Sequence, residues 1–356
     1  MQALMAELLT MAVQTDASDL HLMVGSPPIF RNQGVLSKYD KAGVLDKDNL
    51  LTQIVSTMNE FQKEIYLRDL EIDYSVSLPG KGRFRANAYY QKGTPSISLR
   101  LIPDKIKSID ELMLPSICHN IAKLKQGFVL VTGPTGSGKS NTFTSIIDEI
   151  NETRSEHIIT IEDPIEYLHE NKRSFVSQRE LDVDTKSWAR ALKSVLRQDP
   201  NIVYIGEMRD SETMATAMTT AETGHLVFAT LHTNSAAQTI ERIVDSFPEN
   251  QQDQILLQLS LVLEAIISQR LIPTKDGKRI VATEILVVTP AVRNTIRERK
   301  SYQLDNIIQT SANMGMNLME HSLAELVNRG LVDRQVAFEY AIRPSVLEKL
   351  LITRVR

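Results

Sequence analysis

A single cysteine, Cys118, leaves no partner for an internal disulfide and no ligand set for a multi-cysteine zinc site. Excess basic charge is also missing. With 40 Lys+Arg against 44 Asp+Glu the net charge is −4, which excludes a protein that coats nucleic acid through a globally basic surface and leaves only local basic faces to consider. No lysine or arginine precedes Arg31, so the start lacks the positive region of a secretory signal, and a cytoplasmic protein is expected. Long apolar runs are lacking too. The longest, Ile255 to Ile267, is broken by Gln258, Ser260 and Glu264. It falls short of the roughly 20 residues a bilayer span needs, so it predicts a buried helix and no transmembrane segment. Low-complexity stretches, charge blocks and solenoid-period repeats are absent as well. At roughly 150 residues per domain the chain length predicts about two ordered domains.

The first part mixes helix and strand signals. Leu4, Met5, Leu8 and Met11 have helical spacing, and Asn49 to Leu67 carries a second helical pattern. Arg83 to Tyr90 alternates, with Arg83, Arg85, Asn87 and Tyr89 on one face, and Ser96 to Ile102 alternates likewise. The turn Gln91 to Pro95 between them predicts an antiparallel pair. The expectation is an α+β domain over 1–107, a hinge beginning at Pro103, a linker over 108–115 and a second domain over 116–356. In that second domain the apolar runs Phe128 to Thr132, Ile158 to Ile161, Ile202 to Ile205 and Leu226 to Thr230 read as strands covered on both faces. Helical patterns over Lys139 to Ile150, Thr185 to Gln198, Ser211 to Glu222 and Ser235 to Phe247 separate them, so a parallel sheet in β-α order follows. A last strand is expected near Arg279 to Val288, then helices only to Arg356.

The strongest signal is Gly133-Pro134-Thr135-Gly136-Ser137-Gly138-Lys139-Ser140, which fits the phosphate-loop pattern directly after an apolar strand and before a helix. Glycines let backbone N–H groups wrap phosphates, and the helix N-terminus adds partial positive charge. Lys139 is expected to neutralise the β- and γ-phosphates of ATP and Ser140 to offer its hydroxyl to Mg²⁺. Asn141 stands where Thr is common, and its amide is expected to donate to the α-phosphate.

Hydrolysis needs carboxylates at neighbouring strand ends. Glu207, just past Ile202 to Ile205, is the first candidate to hold Mg²⁺ or polarise water, and Glu162 is the second. Glu162, Asp163 and Glu166 are expected to share an edge where repulsion favours a cation, with Asp163 alternatively a helix cap. His225 and His232 bracket a strand expected beside the phosphate-loop strand, and both are expected to sense the γ-phosphate or relay strain. Between Asp73 and Asp104 there are cations but no acids; Arg83, Arg85 and Arg100 are expected to reach one anion, against the plainer reading of a solvated strand face.

In combination these pieces resemble the type IV pilus retraction ATPases of the secretion ATPase superfamily. The segments that carry the likeness are Gly82 to Gln91, the phosphate loop, the acidic box Ile158 to His169, the segment Asp199 to Asp210 and the His box Thr223 to Asn234. The resemblance implies a PAS-like N-terminal domain, a RecA-like P-loop C-terminal domain and a homohexameric ring with ATP between the domains. It also implies catalytic roles for Glu207, Glu162 and His232 and phosphate contacts from Arg83, Arg85 and Arg100. Function would be pilus retraction at the inner membrane, through the platform protein of the pilus machinery. Ala291 to Glu298 matches a segment typical of retraction motors except at Val292 and Thr295. Those departures and Asn141 leave open an accessory paralogue or a non-enzymatic nucleotide-binding scaffold. A nucleic-acid translocase is disfavoured because Gln198 to Glu264 interleaves acids with few cations.

Overall fold

Period-two alternation builds the first unit, and near-continuous apolar strands build the second. The structure, a computed structural model, describes residues 1–32, 34–102 and 105–353. Pro103, where the hinge was placed, lies outside the described residues, as do the last three residues of the expected helical tail. The two units are Met1–Lys105 with Pro164–Leu168, and Ile106–Asp163 with His169–Arg356.

In the first unit, α1 (Ala3–Gln14) is the expected helix but buries Met5, Leu8, Leu9 and Ala12, a stripe turned from the expected Leu4, Met5, Leu8 and Met11, of which Leu4 and Met11 are only half-buried. Strands β1 (Asp19–Met23), β2 (Ile29–Asn32) and β3 (Val35–Lys38) precede α2 (Lys47–Val55) and α3 (Glu60–Asp69). The single pattern over Asn49 to Leu67 is therefore two helices. Asn59 caps α3 and exchanges bonds with Gln62, a capping box that starts a new helix after the break. Then come β4 (Glu71–Leu78), β5 (Gly82–Gln91) and β6 (Thr94–Ile102), in an antiparallel sheet of order β3-β2-β1-β6-β5-β4. The expected β5–β6 pair is present, with Arg85 directly opposite Arg100 and Arg100 opposite Asp19.

The second unit runs α4 (Ile117–Ala122), β7 (Gly127–Thr132), α5 (Lys139–Thr153), β8 (His157–Glu162), β9 (Phe175–Glu180), α6 (Trp188–Val195), β10 (Ile202–Ile205), α7 (Ser211–Glu222) and β11 (Leu226–Leu231). It continues with α8 (Ala236–Asp245), α9 (Glu249–Val262), β12 (Leu263–Pro273), β13 (Arg279–Val287), α10 (Pro290–Arg297), α11 (Leu304–Thr310), α12 (Met319–Asn328), α13 (Arg334–Tyr340) and α14 (Pro344–Thr353). The sheet order is β13-β12-β7-β11-β10-β8-β9, parallel except for β13. Along β7, Phe128 and Leu130 face one core while Val129 and Val131 face the other, so helices cover both sides.

Two expectations fail here. The run Ile255 to Ile267 is not one helix: α9 stops at Val262, and Leu263 opens β12 in an extended conformation. A helix end and a buried strand follow each other with no Gly or Pro between them, and the run reads as one apolar segment. Strand β9 breaks the expected β-α alternation because, at the sheet edge, it is polar and only partly covered. Among the described residues no helix is long and apolar enough to cross a membrane.

Candidate active site

The loop Gly133–Ser140 joins the end of β7 to α5, whose first residue is Lys139. Gly133 has φ +145°, and a Cβ there would meet the Gln269 carbonyl at 2.3 Å and the Ser137 hydroxyl at 2.7 Å. Gly138, φ +89°, is the helix N-cap, and its Cβ would lie 3.3 Å from Gln269 Nε2. Glycine is thus required for close passage and for backbone angle at once. Pro134, Thr135 and Gly136 form the exposed tip, and Ser140 is half-buried. Lys139 is buried, its ammonium donating to the carbonyls of Gly133 (2.9 Å) and Pro134 (3.2 Å). The buried Ser137 hydroxyl has no hydrogen-bond partner among the described residues. A buried cation, an orphaned hydroxyl and a cradle too tight for a Cβ, all at the N-terminus of a long helix, suit a bound polyphosphate. Asn141 is exposed in the first turn of α5.

The loop is braced from β12. Gln269 Nε2 donates to the Ser137 carbonyl at 2.8 Å, its Oε1 accepts from Thr142 Oγ1 at 2.9 Å, and Ser268 Oγ meets Thr132 Oγ1 at 2.8 Å.

Strands β8 and β10 run in parallel register, Ile161 beside Ile205, so Glu162 and Glu207 emerge at one edge. With strands about 4.8 Å apart, β10 lies roughly 10 Å from β7 and β8 roughly 14 Å, which favours Glu207 as the nearer carboxylate. Glu207 pairs with Arg209, and its other oxygen lies 3.4 Å from His232 Nε2. Thr230 Oγ1 donates to the Gly206 carbonyl, and the Met208 amide returns to the Thr230 carbonyl at 3.2 Å, clamping the Glu207 loop to β11. Glu162 is buried and accepts from Thr160 Oγ1 (2.6 Å) and Gln178 Nε2 (3.2 Å). The three carboxylates of the acidic box are not gathered at one point. No helix follows Asp163 before α6, so it caps none, and Glu166 groups with the first unit, 3.9 Å from Arg85. Among the described residues no group of three His, Cys, Asp or Glu side chains is placed to hold a metal.

Strand β11 does lie beside β7, yet only its C-terminal histidine is near the loop. His225 precedes the strand, and its Nδ1 lies 3.0 Å from the Thr220 carbonyl. Six residues of strand, about 20 Å, separate it from the phosphate-loop edge, so its expected contact with a phosphate held by this chain's loop is overturned. In the first unit Arg83, Arg85 and Arg100 share one face, as alternation predicts, and each meets a protein partner. Arg83 Nη2 donates to Ser75 Oγ (2.7 Å), Arg85 lies near Glu166, and Arg100 Nε donates to Asp19 Oδ1 (2.9 Å). Burial pushes the Asp19 carboxyl up, but the Ser18 hydroxyl and Arg100 outweigh it and hold the group below its ordinary value.

The family model described as "Type II/IV secretion system protein" matches residues 1–281. The chain belongs to that family. The twitching motility protein of Neisseria gonorrhoeae is 45% identical over 336 residues, covering 94% of this chain and 89% of the relative. The type IV pilus retraction ATPase PilT of Pseudomonas aeruginosa is 44% identical over 339 residues, covering 95% of this chain and 98% of the relative. A crystal structure of the pilus retraction motor PilT with bound ADP superposes with a TM-score of 0.90 at 44% identity, covering 97% of this chain and 98% of the other. The architecture is accordingly that of the secretion ATPases, an N-terminal domain followed by a RecA-like ATPase domain.

Within this secretion-ATPase frame, sequence reasoning misses Gln269, Ser268, Gln178 and Arg209. Arg209 stands two residues from Glu207 and was available as a signal. Gln269 was visible only as the polar pair Ser268-Gln269 interrupting an apolar run.

Proposed function

We propose that this chain is an Mg²⁺-dependent ATPase that works as a homohexamer and powers type IV pilus retraction. It would act peripherally at the cytoplasmic face of the inner membrane, through the platform protein of the pilus machinery. The observation that carries this reading is the braced phosphate loop with Glu207 and His232 at the same sheet edge. Lys139 would exchange its carbonyl partners for the β- and γ-phosphates, a gain because an ammonium binds phosphate oxygens more strongly than neutral carbonyls. Ser140 and Glu207 would hold Mg²⁺, which supplies neutralisation of charge on the phosphoryl oxygens. Glu207 would also polarise the attacking water, with His232 orienting its carboxylate and Glu162 as the second carboxylate of the edge. Arg83, Arg85 and Arg100 are proposed to reach phosphates, a role supported by their shared face and by the resemblance; Arg100 would trade Asp19 for the anion.

The test uses the purified full chain and the parent cell. ATP turnover is expected in Mg²⁺ and not in EDTA, unaffected by single-stranded DNA, and abolished by Lys139→Ala. Cells lacking the chain are expected to assemble pili without retracting them. A folded chain with no turnover, a Lys139→Ala variant with full turnover, or normal retraction in the deletion would overturn the reading; DNA-stimulated turnover lost at high salt would point to a translocase.

A further inference from the structure

Away from the phosphate loop, one arginine meets three carboxylates from three elements. Glu284 on β13 is fully buried at its side chain, and its Oε2 accepts from Arg343 Nη1 at 3.0 Å. The same Nη1 reaches Glu320 Oε2 on α12 at 3.2 Å, while Nε donates to Asp305 Oδ2 on α11 at 2.7 Å and Nη2 to the other oxygen. Glu320 Oε1 accepts the amides of Ile342 and Arg343, fixing the turn into α14. Burial works against charge on Arg343, but Asp305 and Glu284 outweigh it and keep the guanidinium protonated.

The remaining oxygen of Glu284 decides what the cluster is for. Glu284 Oε1 accepts the backbone amide of Ala236 at 2.9 Å, and Ala236 is the first residue of α8. A buried carboxylate therefore sits on the positive end of that helix. Ala236 stands four residues after His232, and the segment between leaves β11 where His232 faces Glu207. Four residues of chain and two hydrogen bonds connect His232 to Arg343, which immediately precedes α14, and one further bond from Arg343 reaches α11 or α12.

We propose that Glu284 and Arg343 are a positioning couple that anchors the N-terminus of α8, and with it His232 opposite Glu207, to the C-terminal helices. The proposal rests on the ATPase reading above and adds to it a pair of residues that touch neither nucleotide nor metal. Each end of the couple is a two-way contact: a shift of α11 or α14 moves Arg343, and movement of the His segment pulls on Glu284. A motor needs such a joint between its chemical edge and the helices outside its sheet.

The discriminating variant is Glu284→Gln, whose amide oxygen still accepts from Ala236 while its NH₂ turns a donor toward the Arg343 guanidinium. Arg343→Lys is the companion; it keeps the charge but loses the fork that serves three carboxylates. In the full chain we expect ADP affinity, read with a fluorescent ADP analogue, within about twofold of wild type, and kcat for ATP lowered about fivefold or more. Backbone hydrogen exchange over residues 235–240 should rise while that over 139–153 stays unchanged. In a His232→Gln background, Glu284→Gln should lower kcat no further, because the couple acts through His232. A residue that merely holds the fold would instead lower melting temperature and affinity together and give multiplicative rate losses in the double variant. The proposal is overturned by multiplicative losses, by kcat within about twofold of wild type in Glu284→Gln, or by unchanged exchange over 235–240. If the unsubstituted chain hydrolyses no ATP, the ATPase reading fails, and hydrogen exchange alone still decides whether the couple holds α8.

Discussion

Replacing Gln269 by leucine removes the brace of the phosphate loop while nearly keeping its volume. Gln269 is 1% exposed, and both ends of its amide are used, one on the Ser137 carbonyl and one on the Thr142 hydroxyl. Leucine leaves the Ser137 carbonyl facing apolar atoms, at a cost of about 1–3 kcal/mol, while the Thr142 hydroxyl, which also reaches the Gly138 carbonyl at 3.4 Å, adds less than about 1 kcal/mol. A sum of about 1–4 kcal/mol falls on the shape of the loop. If the loop must hold that shape to bind phosphates, the competent fraction drops by up to that amount, and affinity for ADP weakens about fivefold or more. Equilibrium titration with a fluorescent ADP analogue measures this, alongside a melting curve without nucleotide. Ser268→Ala is the control: it removes one buried bond to Thr132 a position earlier and should cost about 1 kcal/mol of stability with affinity nearly unchanged. If Gln269→Leu bound ADP as tightly as Ser268→Ala, the brace would be ordinary packing and the loop would keep its shape without it.

Two other outcomes are expected. Glu207→Gln should keep ADP affinity and lower kcat about tenfold or more, because an amide preserves shape but neither polarises water nor offers charge to the metal; loss of affinity and turnover together would make Glu207 structural. His119 Nδ1 lies 2.6 Å from Glu149, whose carboxylate raises the imidazole above its ordinary 6.5. A raised folded value means that the contribution of this α4–α5 contact is fully present below that pH and fades as pH climbs through the folded value. The urea-midpoint difference between wild type and His119→Gln should therefore shrink between about pH 6 and about pH 9, and a constant difference would refute the assignment.

What was legible in the sequence follows from where local chemistry suffices. The strands β7, β10 and β11 are buried on both faces, so their residues read as apolar runs with boundaries good to a residue. The phosphate loop is legible because its conformation is set by its own glycines and by the helix it opens. Strand β9 carries no such signal, since an edge strand must be polar on its open side. Gln269 was invisible as a site residue because its role exists only once β12 is placed against β7, a pairing across more than a hundred residues. His225 shows the converse error. Bracketing the strand already puts His225 at the end opposite His232, and the two ends face opposite edges of the sheet.

The order β12-β7-β11-β10 gives the phosphate-loop strand two neighbours of opposite character. On one side Gln269 is buried, neutral and bonded both to the loop at Ser137 and to α5 at Thr142, while the buried Ser268 is bonded to Thr132 on β7, an arrangement suited to holding one shape whether or not nucleotide is present. On the other side His232 is 49% exposed at its side chain, and its 3.4 Å approach to Glu207 is long for a hydrogen bond. Glu207 is also held by Arg209, so its carboxylate has two competing cationic or polar partners and can exchange one for water or a metal without being left bare. Binding requires preorganisation, whereas a response to the γ-phosphate requires contacts weak enough to be remade at each turnover. The fold separates the two demands by one strand spacing on either side of β7. The Glu284 carboxylate on β13, bonded to the first amide of α8, lies where the pliable side meets the C-terminal helices. A joint at that place transmits movement of the His segment outward while Gln269 holds the phosphate loop still.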